Sequence, residues 1–313
     1  MTATPDPLSL AAAVSGLAPK VKAPASARIL DGWIARAESQ LGADGGRLGW
    51  LVASTIVAAA LQQAVDHQQE PLFLIKDGTL LQHLLPHTSR ATTDLDGLVR
   101  GDIDRFVDLV DETLSTPWGP CTLQRGPVTV IETPHRVVRP RRFDVVVQLR
   151  GATWRRVQVE IAADEGSAGS TSEPVAAPSL AGFGLPTPDH LAGLALRYQI
   201  AQKVHAATDP HEPPTYINDR ARDVVDLLLL RDLCDASGSP SRSDVRAAVL
   251  DVFRARAADA TYLGLPPRHW PSRVTAHPHW TVSYESAARS AGLSTSLDAA
   301  VEAVNTWLDR LDE

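Results

Sequence analysis

Apolar residues recur at helical spacing over 28–41 and 47–67, and the run Gly42-Ala43-Asp44-Gly45-Gly46 separates the two stretches. The pattern then shortens. Leu72-Phe73-Leu74-Ile75 reads as a buried strand that ends in Lys76-Asp77-Gly78-Thr79, and residues 80–85 read as a following helix. Residues 102–115 place Ile103, Phe106, Val107 and Val110 on one helical face. Strand patterns follow at 128–131, 144–149 and 157–161, the last two joined through Gly151-Ala152 as a hairpin. Residues 163–187 are small and turn-rich and read as a loop or linker. Beyond them the period is helical: a helix from Thr187-Pro188-Asp189 to about Ala207, another from Asn218-Asp219, and two more over 242–259 and 295–311 with a Trp/Pro/His loop between them. The fold class expected is α+β. It divides into a mobile tail (1–26), a mixed lobe (27–165), a linker (166–186) and a helical C-terminal lobe (187–313).

The chemistry gathers around residues 72–96. In Asp94-Leu95-Asp96 the acids sit at i and i+2, so on a strand both carboxylates aim to one side while Leu95 packs into the sheet. Such a pair repels unless a cation lies between, and hard oxygen ligands suit Mg²⁺ together with substrate phosphates. Gly78 lets backbone N–H groups approach an anion closely, and Thr79 opens a helix whose N-terminus favours phosphate. Glu160, in Val157-Gln158-Val159-Glu160-Ile161, is a candidate third carboxylate; Asp144 is its rival, and either also reads as an exposed strand acid. Asp226 stands in an apolar run and needs a partner, with Arg222 at i−4 or Lys203 on the preceding helix available. That pair reads either as a helix–helix salt bridge or as Lys203 meeting a triphosphate with Asp226 orienting it.

Composition narrows the classes. The chain has 313 residues, 44% hydrophobic and 21% charged, with a formal net charge of −7. A general nucleic-acid coat does not fit that balance, and no DNA partner is expected. The local cluster Arg136, Arg139, Arg141, Arg142, Arg150, Arg155 and Arg156 is the expected place for any RNA contact. Cys121 and Cys234 fit free thiols in a reducing cytosol, so a cytoplasmic location is expected. No secretory signal is read in the first residues, and the apolar stretch 48–61 is too short to span a bilayer. His277-Pro278-His279 lacks a zinc pattern, and Trp270 and Trp280 read as packing anchors.

Four ordered motifs carry a family resemblance. Lys76-Asp77-Gly78-Thr79 and Ser89-Arg90-Ala91-Thr92-Thr93-Asp94-Leu95-Asp96 resemble the nucleotidyltransferase motifs of the AbiEii/AbiGii toxin family. Ile200-Ala201-Gln202-Lys203-Val204-His205-Ala206 and Asp219-Arg220-Ala221-Arg222-Asp223-Val224-Val225-Asp226-Leu227 resemble its C-terminal motifs. Together with Trp270-Pro271 and Pro278-His279-Trp280, they look most like the mycobacterial MenT toxins. The resemblance implies a DNA polymerase β-like nucleotidyltransferase lobe with a helical C-terminal lobe. It also implies Mg²⁺, an NTP substrate with CTP or UTP favoured, transfer to the 3′ acceptor end of tRNA, a block of aminoacylation and translation, and a cognate antitoxin. It gives Asp94, Lys203 and Asp226 catalytic places, and Lys76, Gly78, Thr79, Arg90 and Thr92 nucleotide places. Metal places fall to Asp94, Asp96 and, from the spacing above, Glu160. One departure stands out: Asp77 takes the place of the first glycine in the family's turn, beside the phosphates. Transfer to a protein hydroxyl and a non-catalytic nucleotide- or RNA-binding module are the alternatives.

Overall fold

In the chain's computed structural model, which describes residues 10–43, 46–85 and 92–312, a mixed sheet carries the site and helices cover it. Helix α1 (Leu10–Ser15) is followed by α2 (Ala27–Leu41), where Ser26 Oγ accepts from the Ile29 N–H, and by α3 (Arg47–Leu61). Strand β1 (Phe73–Ile75), α4 (Asp77–Leu84), β2 (Asp94–Val99) and α5 (Ile103–Ser115) come next. Then follow β3 (Cys121–Arg125), β4 (Thr129–Val130), β5 (Arg141–Leu149) and β6 (Ala152–Ala163). After β7 (Ser172–Val175) and β8 (Leu191–Leu194) the chain is helical: α6 (Leu196–Ala207), α7 (Ala221–Ser237), α8 (Arg242–Tyr262), α9 (Thr281–Ser290) and α10 (Leu297–Asp312). The class is α+β, as the pattern predicts.

Among the described residues the sheet has eight strands in the order β3-β5-β6-β2-β1-β8-β7, with β4 paired to β5. Strands β2 and β6 are parallel, as are β1 and β8, and the other pairs are antiparallel. The β5–β6 hairpin turns at Arg150 and Gly151, both with positive φ, in the manner of tight two-residue hairpin turns. Strict alternation along β5 and β6 buries Phe143, Val145, Val147, Val157, Val159 and Ile161 on one face, which α2, α3 and α5 cover. Helix α3 is enclosed almost all round, which accounts for its Ala-rich, uniformly apolar sequence. No helix among the described residues is long and apolar enough to cross a membrane. Cys121 and Cys234 are buried free thiols.

Several expectations need correction. Residues 10–15 of the expected mobile tail form a helix with Leu10 and Val14 buried. The helix expected from Thr187 begins only at Leu196, because residues 191–194 are a fully buried strand beside β1, with Ile75 opposite Gly193. A short apolar run bears either reading, and the available sheet edge decides it. The expected linker contributes β7, so the sheet runs across the boundary drawn at 166–186. Helix α4 starts at Asp77, ahead of the predicted Leu80. Strand β3 and helix α9, the latter inside the Trp/Pro/His loop, lack a clean enough period to have been read. The arginine cluster is largely neutralised by partners: Arg136 by Glu165, Arg139 by Glu132, Arg141 by Asp104, Arg142 by Glu160, Arg155 by Asp31 and Arg156 by Asp144.

Candidate active site

The turn after β1 lies against the start of β2. The Lys76 N–H donates to Asp96 O (3.0 Å), prolonging the β1–β2 ladder by one bond. Gly78 faces Thr92 so closely that a Cβ there would lie 2.7 Å from Thr92 Oγ1, so the close approach requires glycine. Thr79 Oγ1 and Thr92 Oγ1 both donate to Asp94 O, at 3.1 and 3.2 Å. Thr79 is buried, so this hydroxyl buttresses the strand carrying the acids. The Trp50 indole N–H donates to Thr93 O (3.1 Å) and ties α3 to the same place.

Asp94 and Asp96 leave β2 on the face opposite Leu95, as the two-residue period dictates. Register places Gln158 opposite Asp94 and Glu160 opposite Asp96. Gln158 Nε2 donates to Asp94 Oδ1 (2.8 Å) and Glu160 Oε1 (3.2 Å). Glu160 is ion-paired with Arg142 at 2.6 Å, and Asp144 with Arg156 at 3.0 Å, so both candidates for a third carboxylate already have a cation. Among the described residues no group of three or more His, Cys, Asp or Glu is arranged to hold a metal. The expected three-carboxylate set is therefore not assembled. What remains is a two-carboxylate edge. Burial pushes the Asp96 carboxyl up to about 7, helped by Asp77, opposed by Lys76, and raised further by Glu160 and Asp94. Hard oxygens carrying uncompensated negative charge fit Mg²⁺, which characteristically takes one or two protein carboxylates and completes its shell with waters and substrate phosphates.

The helical part closes the site. Lys203 on α6 is 3% exposed, and its Nζ lies 2.7 Å from Asp226 Oδ2, 2.8 Å from Asp223 Oδ1 and 3.4 Å from Asp77 Oδ1. Asp226 is fully buried on α7 and ion-paired with Lys203 across the helix pair, whereas Arg222, one turn earlier, is exposed. Gln199, one turn before Lys203, accepts from the Asp77 N–H (2.8 Å) and donates to Asp77 Oδ1 (2.9 Å). Burial would raise the Asp77 pKa, but Lys76 and Lys203 outweigh it and hold the carboxylate well below its ordinary range. Next to this cluster Glu165 receives Arg256 (2.8 Å) and Arg136 (2.5 Å), and Arg256 Nη1 contacts His205 Nδ1 (2.9 Å). A cavity of about 200 Å³ opens there, lined by Arg136, Val138, Ala162, Glu165, Ala255 and Asp259.

The structure thus brings Lys76, Gly78, Thr79, Thr92, Asp94 and Asp96 into one turn-and-strand edge, with Lys203 and Asp226 linked to it through Asp77. Arg90 lies outside the described residues. Sequence reasoning missed the roles of Asp223 and Gln199. Their signal was spacing: Asp223 is three residues before Asp226, and Gln199 four before Lys203, each on its neighbour's helical face.

Comparison with protein families gives a match over residues 59–310 to the nucleotidyl transferase AbiEii toxin of type IV toxin–antitoxin systems. The chain belongs to this family. Among solved structures, the MenT4 nucleotidyltransferase toxin of Mycobacterium tuberculosis is similar, at 20% identity and a TM-score of 0.46, over 92% of this chain and 98% of that one. The comparison with curated proteins finds no match. As a member of the AbiEii family the protein is a nucleotidyltransferase, a class that generally uses NTP and a divalent metal, and the toxin family implies a cognate antitoxin.

Proposed function

We propose that this toxin transfers nucleotides from an NTP, CTP or UTP by preference, to the 3′ acceptor end of tRNA in the cytoplasm, and so blocks aminoacylation and translation. The observation that supports this reading best is the shared cluster in which Lys203 of α6 reaches both Asp226 and the Lys76-Asp77-Gly78 turn. A phosphate cradle, an acidic strand edge and a fixed lysine are then available to one substrate. Lys76 and Lys203, with Arg90 and backbone N–H groups near Gly78, hold the triphosphate; Thr92 and Thr79 fix the strand that presents Asp94. Asp223 and Asp226 keep the Lys203 ammonium in place. Asp94 and Asp96 would hold Mg²⁺, which when bound neutralises phosphate charge; the ion-paired Glu160 sits beside them and holds Gln158. The tRNA 3′-oxygen forms a bond to the α-phosphorus as the bond to the β-phosphate oxygen breaks, releasing pyrophosphate. Catalysis is then mostly positioning and charge neutralisation.

The test is incubation of the full chain with total tRNA, Mg²⁺ and each labelled NTP in turn, with Asp94→Ala alongside. A labelled tRNA band absent in the variant is expected; transfer that survives in the variant sinks the assignment. The ion-paired arginine face favours a second acceptor, a protein hydroxyl. Label in the protein fraction alone would identify it.

A further inference from the structure

Asp77 is the one acid of the cluster that the proposed reaction does not employ. It sits in the turn where phosphate is expected, with φ of 49°, a left-handed conformation that Asp tolerates better than most side chains. Gln199 grips it from both sides, accepting from its N–H and donating to its Oδ1. That contact uses the first backbone donor of α4, one of the groups an anion would otherwise take. The carboxylate pairs with Lys76 and lies 3.4 Å from Lys203 Nζ, so one side chain engages cations from two distant segments.

We propose that Asp77 is a built-in competitor for the triphosphate: its carboxylate occupies Lys76 and Lys203 until a nucleotide displaces it, and so sets the affinity of the site for NTP. This rests on the reading of the turn as a nucleotide site. Two effects of removing Asp77 oppose each other. The lysines lose a partner that orders them, and the incoming polyanion loses a negative neighbour. Lys203 keeps Asp223 and Asp226, so its position survives, and the loss of repulsion dominates. A unit charge within several ångströms of a polyanion in a partly buried site weakens binding by about tenfold or more.

The probe is inorganic tripolyphosphate, titrated calorimetrically with the full chain and its Asp77→Asn and Asp77→Gly variants, and then each NTP with Mg²⁺. Asn keeps the shape and the Gln199 contact without charge; Gly suits the backbone. Melting curves establish that each is folded. Both variants should bind tripolyphosphate at least about tenfold more tightly than the native chain, and KM for NTP should fall. Native-like or weaker binding in both variants overturns the role of Asp77 while leaving the nucleotide site standing. If the native chain and both variants bind neither tripolyphosphate nor any NTP, the nucleotide reading fails, and this inference fails with it.

Discussion

Replacing Asp226 by Ala separates the packing role of the Lys203–Asp226 pair from its chemical one. Asp226 is fully buried and Lys203 is 3% exposed, so the variant leaves an ammonium deprived of its nearest carboxylate, at 2.7 Å. Breaking a buried pair from one side costs about 3–5 kcal/mol, since the remaining charge stays desolvated. Asp223 at 2.8 Å and Asp77 at 3.4 Å still face Lys203, which sets the expected loss near the lower end, about 3 kcal/mol. The double variant Lys203→Met/Asp226→Leu removes both charges and fills the same space. It should recover part of that loss, because apolar replacement of a buried pair is often neutral or better, while Asp223 and Asp77 go without the Lys203 cation. Denaturant unfolding gives the stabilities, and the labelled-NTP assay gives transfer. The single variant should be the less stable of the two, and both should be inactive. A double variant that is stable and still transfers nucleotide would show the pair to be only a helix–helix brace. A single variant destabilised by less than about 1 kcal/mol would refute the buried-charge reasoning itself.

Gly78→Ala places a Cβ 2.7 Å from Thr92 Oγ1, so Thr92 must shift from Asp94 O; a loss of about 1–3 kcal/mol in thermal unfolding, with transfer falling more steeply than stability, is expected. Acid should destabilise the protein in two stages. His205 is held well below its ordinary 6.5 by burial and by Arg256 and Arg268, so the unfolded chain takes up a proton that the native chain refuses. Stability therefore falls as pH drops below 6.5, with about 1.4 kcal/mol per unit from this one group. Burial works to raise Glu165, but Arg256 and Arg136 hold it below its ordinary 4.5, so its stabilising contribution, present above 4.5, is lost on further acidification. Thermal midpoints across this range check both stages, and His205→Gln should make the first shallower without touching the second; His83, pushed down to about 4 by burial, keeps its own share of the first.

The elements whose period was long and clean were legible before any coordinates. Helices α2, α5 with its inward Phe106 and Val110, and α10 appear at nearly the predicted bounds; α3 stops at Leu61, short of the predicted 67, and the predicted β5–β6 hairpin is present with longer strands, Arg141–Leu149 and Ala152–Ala163. Elements of four or five residues were not. The run at 191–194 is a strand only because β1 and β7 offer it hydrogen bonds on both sides. At the site, spacing correctly set Asp94 and Asp96 on one side of a strand. It also offered Glu160, with Asp144 as its rival, as a third carboxylate, and cross-strand geometry gave each an arginine.

The sequence by itself determined the local periods, the glycine turn beside an acid pair, and four ordered motifs specific enough to mark the family. Those are properties of neighbours along the chain, where side-chain direction follows from backbone repeat alone. Only the tertiary structure decided which charges meet. Lys203 lies far along the chain from Asp77, and the turn reaches it because β8 runs parallel to β1 and delivers α6 over the Lys76-Asp77-Gly78-Thr79 turn, where Gln199 meets Asp77. Charge pairing across such separations depends on distance and burial, and both are set by packing. The same packing turned Asp77 from an unexplained substitution in the turn into the carboxylate that holds both lysines.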